Sequence, residues 1–179
     1  MKFEDYNFGA KFTDAHLSKV VLPNDAGEKI NGWFKNPKNF LVFCGNPGLG
    51  KTYLCACYVK ECLEKNYPIR YFNENSLLQH LRQAIKDDLD YEYELKRLCD
   101  CPYFILDDLG SARQTDWSKD AIFSFVDIRH SSGLPTLITS NISIDEMNSF
   151  YGQRFASRIK DKGNTILEIN WIDKRQEEL

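Results

Sequence analysis

A chain of 179 residues with 42% hydrophobic composition can bury one sizeable core, and two independent domains would be cramped in it. Its 23 basic and 26 acidic side chains leave a formal charge of −3, which excludes a surface that is basic all over, so any contact with DNA has to be local. No apolar run approaches the ~20 residues of a membrane span, and the opening MKFEDYNFGAKF carries acids where a signal peptide has an apolar core, so the expected location is the cytoplasm.

In chain order, DAGEKINGWFKN (25–36) reads as a short helix broken at Pro37, leading into an apolar strand over 40–44. The strand runs into Gly45-Asn46-Pro47-Gly48-Leu49-Gly50-Lys51-Thr52, and KTYLCACYVKECLEK then continues without Gly or Pro at helical spacing. A second strand is expected over 68–72. A helix follows in ENSLLQHLRQAIKDD, with Asn75 or Ser76 near its cap, and a third strand over 102–108 is apolar until two acids close it. A helix over 117–130 stops at Ser131-Ser132-Gly133. The rest reads as a strand over 135–141, short helices over 143–150 and 153–160, and a strand over 165–169. Continuously apolar strands separated by helices imply an α/β fold with a parallel sheet covered on both faces. Ligands in such sheets gather at the carboxyl ends of the strands, where the glycine loop, Asp107, Asp108 and Asn141 would meet.

The six cysteines (Cys44, Cys55, Cys57, Cys62, Cys99, Cys101) are expected to be free, because a nucleotide-binding loop implies a reducing compartment. Neither close pair, Cys55/Cys57 or Cys99/Cys101, has the gap of a zinc knuckle, and no histidine stands nearby in sequence.

The segment 45–52 fits G-x-x-x-x-G-K-[ST] completely, with a strand before it and a helix after it. Its glycines let backbone N–H groups turn inward around phosphates, Lys51 reaches the β and γ oxygens, and the Thr52 hydroxyl can ligate magnesium. Opposite the loop, Asp107 can hold the metal directly or through water, and Asp108 can orient and deprotonate a water attacking the γ-phosphate. Alone, two acids closing a strand would read as a solvated turn. Asn141 offers a neutral amide to that water or to the γ-phosphate, though Asn is also a common turn residue. Arg154 and Arg158, spaced i, i+4, share one helix face, which suits either a transferring phosphoryl group or plain solvation.

Together the glycine loop, Asp107-Asp108-Leu109-Gly110, Thr139-Ser140-Asn141 and Arg154-Phe155-Ala156-Ser157-Arg158 resemble the AAA+ ATPases of the DnaC/IstB group, over nearly the whole chain. That group comprises bacterial and phage replicative helicase loaders and ATP-binding helpers of insertion-sequence transposases. The resemblance implies a P-loop AAA+ core with a five-stranded sheet in the order 5-1-4-3-2 and no C-terminal helical lid. It divides 1–179 into an N-terminal linker and helix (1–36) and the P-loop core (37–179), with no room ahead of them for a helicase-gripping region. It also implies ATP and Mg2+ as ligands, with Tyr6 and Phe8 beside adenine, Lys51 on phosphate, Thr52 and Asp107 on the metal, Asp108 catalytic and Asn141 a sensor. Arg158 would be an arginine finger in a neighbouring subunit's site, with Arg154 a second candidate, and Arg175 resembles the group's closing arginine. The acid pair departs from the Asp-Glu of many AAA+ proteins. Local DNA contacts are expected at Arg82, Lys86 and Arg113.

The implied function is an ATPase that self-assembles on single-stranded DNA and loads or remodels a replicative helicase, and is weak until assembled. The alternative within the group is a transposase helper acting on duplex DNA. A small-molecule kinase would carry an arginine-bearing lid and need no oligomer, while a pure ATP-binding module would show no DNA-stimulated turnover.

Overall fold

The computed structural model describes residues 2–20 and 24–169, and Arg175 lies outside them. Three short 3-10 turns (Phe3–Tyr6, Ala10–Phe12, Leu17–Lys19) precede α1 (Asn24–Lys35). The alternation then runs β1 (Phe40–Gly45), α2 (Lys51–Glu64), β2 (Ile69–Asn73), α3 (Glu74–Lys86), α4 (Tyr91–Cys99), β3 (Tyr103–Leu109) and α5 (Asp116–Ser131). It closes with β4 (Thr136–Ser140), α6 (Ile144–Tyr151), α7 (Gln153–Ile159) and β5 (Thr165–Ile169).

The five strands form one parallel sheet in the order β2-β3-β4-β1-β5, the expected order read from the other edge. The inner strands β1 and β3 open as apolar runs because both of their faces are covered, whereas the edge strands β2 and β5 are only partly buried. Phe40, Val42 and Cys44 of β1 enter a core with α3–α7, while Leu41 and Phe43 enter a second core with α1, α2 and the N-terminal aromatics. The cysteines are free thiols, all buried except the half-buried Cys101. Among the described residues no helix is long and apolar enough to cross a membrane.

Two local readings need correction. The cap of α3 is Asn73, the last residue of β2, and not Asn75 or Ser76. Its extended backbone lets Oδ1 accept the Ser76 N–H at 2.8 Å, and the Ser76 hydroxyl donates back to its carbonyl at 2.9 Å. Helix α4, between α3 and β3, has no counterpart in the sequence-based expectation. Asp90 opens it by accepting the N–H groups of Glu92 (2.9 Å) and Tyr93 (3.1 Å), and Leu95, Leu98 and Cys99 bury one face.

Candidate active site

The site begins where β1 ends. A Cβ on Gly45 would lie 2.3 Å from the Ile169 carbonyl oxygen, so only glycine lets the loop leave the sheet this close to β5. Gly48 (φ 92°) and Gly50 (φ 80°) take positive φ, and Gly50 directly precedes the first turn of α2, whose free N–H groups and positive dipole end suit an anion. Lys51 is buried, with Nζ donating to the carbonyls of Gly45 (2.6 Å) and Asn46 (2.8 Å).

On the facing strand the β3–β4 register slips. Leu106 pairs with Ile138 and Leu109 with Ser140, so Asp107 and Asp108 together oppose the single residue Thr139. Asp108 takes φ 56°, in the left-handed region that Asp tolerates better than most residues. Neighbouring side chains of a regular strand face opposite sides of a sheet. The bulge instead brings both carboxylates to one cleft. Thr139 holds it in place, its hydroxyl accepting the Asp108 N–H (2.9 Å) while donating to Asp107 Oδ1.

Asp107 is buried and accepts from four neutral donors: Thr139 and the Cys55 thiol (3.6 Å) on Oδ1, and the Tyr71 hydroxyl (2.8 Å) and Thr52 hydroxyl (3.3 Å) on Oδ2. Burial, and then the Asp107 charge, push Tyr71 and Cys55 well above their ordinary values, so both keep their protons and stay donors. Asp108 is raised above the usual carboxylate value by burial and then by Asp107, against the pull of Lys51. Asn141 Nδ2 donates to Asp108 Oδ1 at 2.5 Å.

The phosphate loop, Asp107, Asp108 and Asn141 line a cleft of about 560 Å³, within the usual range for small ligands. Phe8, Lys11, Phe12, Tyr53 and Tyr71 add aromatic and basic groups to its lining. Phe8 packs on Tyr71 with ring centroids 4.5 Å apart. Tyr6 points elsewhere, donating its hydroxyl to the Ile69 carbonyl (3.0 Å) and lining a separate groove along β2, because Asn7 turns the chain at φ 55° between the two aromatics. Thr52 and Asp107 present hard oxygen donors fit for magnesium. Among the described residues no cluster of three or more His, Cys, Asp or Glu exists to cage a metal.

The structure thus gathers the phosphate loop, Asp107, Asp108, Asn141 and Phe8, but not the remaining candidates. Arg158 Nε donates to Asp127 Oδ1 on α5 (2.7 Å), and the Arg154 guanidinium lies 4.6 Å from the Phe123 ring centre. Arg82 stacks on Trp117 at 4.6 Å, while Lys86 and Arg113 are exposed. Sequence reasoning missed Thr139, Tyr71, Cys55 and Glu74. Glu74 is fully buried, accepting the N–H groups of Gly110 (3.0 Å) and Ala112 (2.9 Å) and the Tyr151 hydroxyl (2.7 Å), so it fixes the turn that follows the acid pair. Only Thr139 left a signal, a polar residue near the end of an apolar strand, two positions before Asn141.

The model of the family described as IstB-like ATP binding protein matches residues 2–162. The chain belongs to that family. This IstB-like chain is 32% identical over 117 residues to the replicative helicase loader DnaI of Bacillus subtilis (strain 168), a match covering 64% of it and 37% of the relative. It is 26% identical over 136 residues to the replicative helicase loader DnaC of Escherichia coli (strain K12), covering 75% and 55%. The matches therefore span about half or less of these relatives' lengths. Among solved structures, a crystal structure of the DnaC helicase loader superposes with a TM-score of 0.76 at 27% identity, over 90% of this chain and 99% of that one. The replication initiator DnaA bound to AMPPCP and single-stranded DNA shares the fold, with a TM-score of 0.75 at 15% identity over 88% of this chain and 50% of that one. The IstB-like chain has the P-loop AAA+ fold.

Proposed function

We infer that this IstB-like chain is one cytoplasmic ATPase domain that self-assembles on single-stranded DNA and loads or remodels a replicative helicase. The observation that carries the reading is the bulge that turns Asp107 and Asp108 together toward the phosphate loop, with Asn141 on Asp108. The similarity to two replicative helicase loaders supplies the biological context.

The loop N–H groups and the first turn of α2 bind the ATP phosphates, and Lys51 swings from its loop carbonyls to the β and γ oxygens. Thr52 and Asp107 would hold Mg2+, which when bound neutralises charge on the phosphates. Asp108 orients a water and takes its proton, helped by a raised proton affinity, while the Asn141 amide holds the water or the γ-phosphate. Phe8 packs beside the base, with Tyr6 bracing the linker on β2. Arg158, with Arg154 in reserve, serves the site of the adjacent copy, so turnover is slow until copies assemble. Arg82, Lys86 and Arg113 offer DNA a local basic surface, and binding through them weakens with salt.

A second reading, a transposase helper acting on duplex DNA, uses the same site and is favoured by the family's IstB-like description. The test is ATP hydrolysis without DNA and with single-stranded or duplex oligonucleotides, in the parent and in Asp108→Asn. Stimulation by single strands, abolished in the variant, is expected. Stimulation by duplex alone transfers the assignment to the second reading, and no turnover under any condition sinks both.

A further inference from the structure

Helix α7 is anchored at more than one level. The Asn164 side-chain amide donates to the carbonyls of Arg158 (2.8 Å) and Ile159 (3.0 Å), while its Oδ1 accepts the Phe40 N–H (3.1 Å). The last turn of α7 is therefore tied to the start of β1 and with it to the sheet that carries the phosphate loop. On the outer side, Arg154 and Arg158 meet Phe123 and Asp127 of α5, so two residues four apart on one helix face two residues four apart on the other.

The Arg158–Asp127 pair is asymmetric. Its bond uses Nε, and among the described residues no hydrogen bond takes Nη1 or Nη2. Arginine carries its donors in a rigid fork, so fixing Nε restricts the swing of the plane and leaves the terminal pair available for an oxyanion. Both partners are about one-third exposed, which gives a second molecule access to this edge. Neither arginine lines the cleft of its own chain.

We propose that Asp127 is a positioning residue that, through its bond to Nε, holds the Arg158 guanidinium oriented for the γ-phosphate bound by a second copy of this chain. The proposal rests on the reading of Arg158 as a finger acting in trans. It assigns Asp127 no contact with nucleotide, and the pre-orientation it supplies belongs to the step that two subunits share.

The test is subunit complementation, with turnover measured on ATP in the presence of a single-stranded oligonucleotide. Asp127→Ala is expected to lower kcat about fivefold, the upper end of what an exposed ion pair contributes, with KM for ATP unchanged. Asp127→Asn keeps an acceptor for Nε–H and is expected to stay within about twofold of the parent. Asp127→Leu replaces the alanine variant if that one melts below the assay temperature. Asp108→Asn subunits, which bind ATP without turning it over and carry an intact Arg158, are then titrated into Asp127→Ala and, separately, into Arg158→Ala. Turnover per active site is expected to rise in both mixtures. A packing defect in the Asp127→Ala cradle would stay in its own subunit, so rescue of Arg158→Ala without rescue of Asp127→Ala overturns the role of Asp127 and leaves the trans finger standing. Failure in both mixtures overturns the trans reading itself. An Asp127→Asn loss as large as that of alanine also overturns the proposal.

Discussion

Replacing Thr139 by valine keeps the β-branched shape that β4 packs and removes only the hydroxyl that joins the two acids. Thr139 is fully buried, so water cannot take the place of the missing oxygen. The Asp108 N–H loses its 2.9 Å acceptor, at a cost of about 1–3 kcal/mol for a donor left unpaired. Asp107 loses one of four donors on a buried carboxylate; a hydrogen bond to a charged group contributes about 1.5–3 kcal/mol. The two losses share one hydroxyl and the bulge can relax, so the combined cost is about 2–4 kcal/mol, or a fall in Tm of roughly 5–15 °C for a chain of this size. Thr139→Ser keeps both bonds and loses one methyl, about 1 kcal/mol. Denaturant unfolding gives the stabilities, and ATP turnover reports the geometry. Once the bulge loosens, Asp108 and Asn141 drift from the attacking water, and a misplacement of about 1 Å is enough to lower kcat on the order of a hundredfold. Valine and serine variants of equal stability, with kcat matching the parent, would show that Thr139 does not hold the acid pair.

Asp108→Asn should abolish turnover yet raise Tm at neutral pH. The native carboxyl has the higher proton affinity, so as pH rises the unfolded chain releases its proton first and the fold loses stability until the native group also ionises. Asparagine tolerates the positive φ and removes that loss, and its advantage should vanish below the ordinary aspartate value of about 4. Gly45→Ala should disrupt nucleotide binding and lower Tm, because the Ile169 carbonyl 2.3 Å from the new Cβ is backbone and cannot step aside, whereas Gly27→Ala in α1 meets nothing within 4 Å and should stabilise by about 0.5–1 kcal/mol. Equal thermal shifts for the two would refute the close approach at β5. Glu74→Ala strands two backbone N–H groups and the Tyr151 hydroxyl, for a loss of at least about 3 kcal/mol in urea unfolding. Tyr151→Phe should cost about 1 kcal/mol, and a Glu74→Ala effect no larger than that would show the turn after Asp108 to be held by other contacts.

Local chemistry made most of the frame legible. The glycine loop announced itself because phosphate binding imposes a fixed spacing between strand, glycines and helix, all within residues 40–65. The inner strands were visible because burial on both faces favours apolar residues along most of their length. The cap of α3 was misplaced because Asn73 serves as the end of a strand and the cap of a helix at once, and α4 escaped because Asp90 and its acidic first turn resemble a loop until Leu95 and Leu98 are seen to be buried.

By itself the sequence determined the succession of the five strands, the phosphate loop and the presence of Asp107, Asp108 and Asn141 at strand ends, since each depends on neighbours within a few residues. Only the tertiary structure decided that two adjacent acids share one cleft, that Tyr71, Thr139 and Cys55 serve Asp107, that Glu74 holds the turn beyond, and that Arg158 rests on Asp127. Those contacts join residues 31 or more positions apart, and a hydrogen bond across that distance leaves no periodicity in the chain: it exists only once the sheet has set its register and the helices have closed over it.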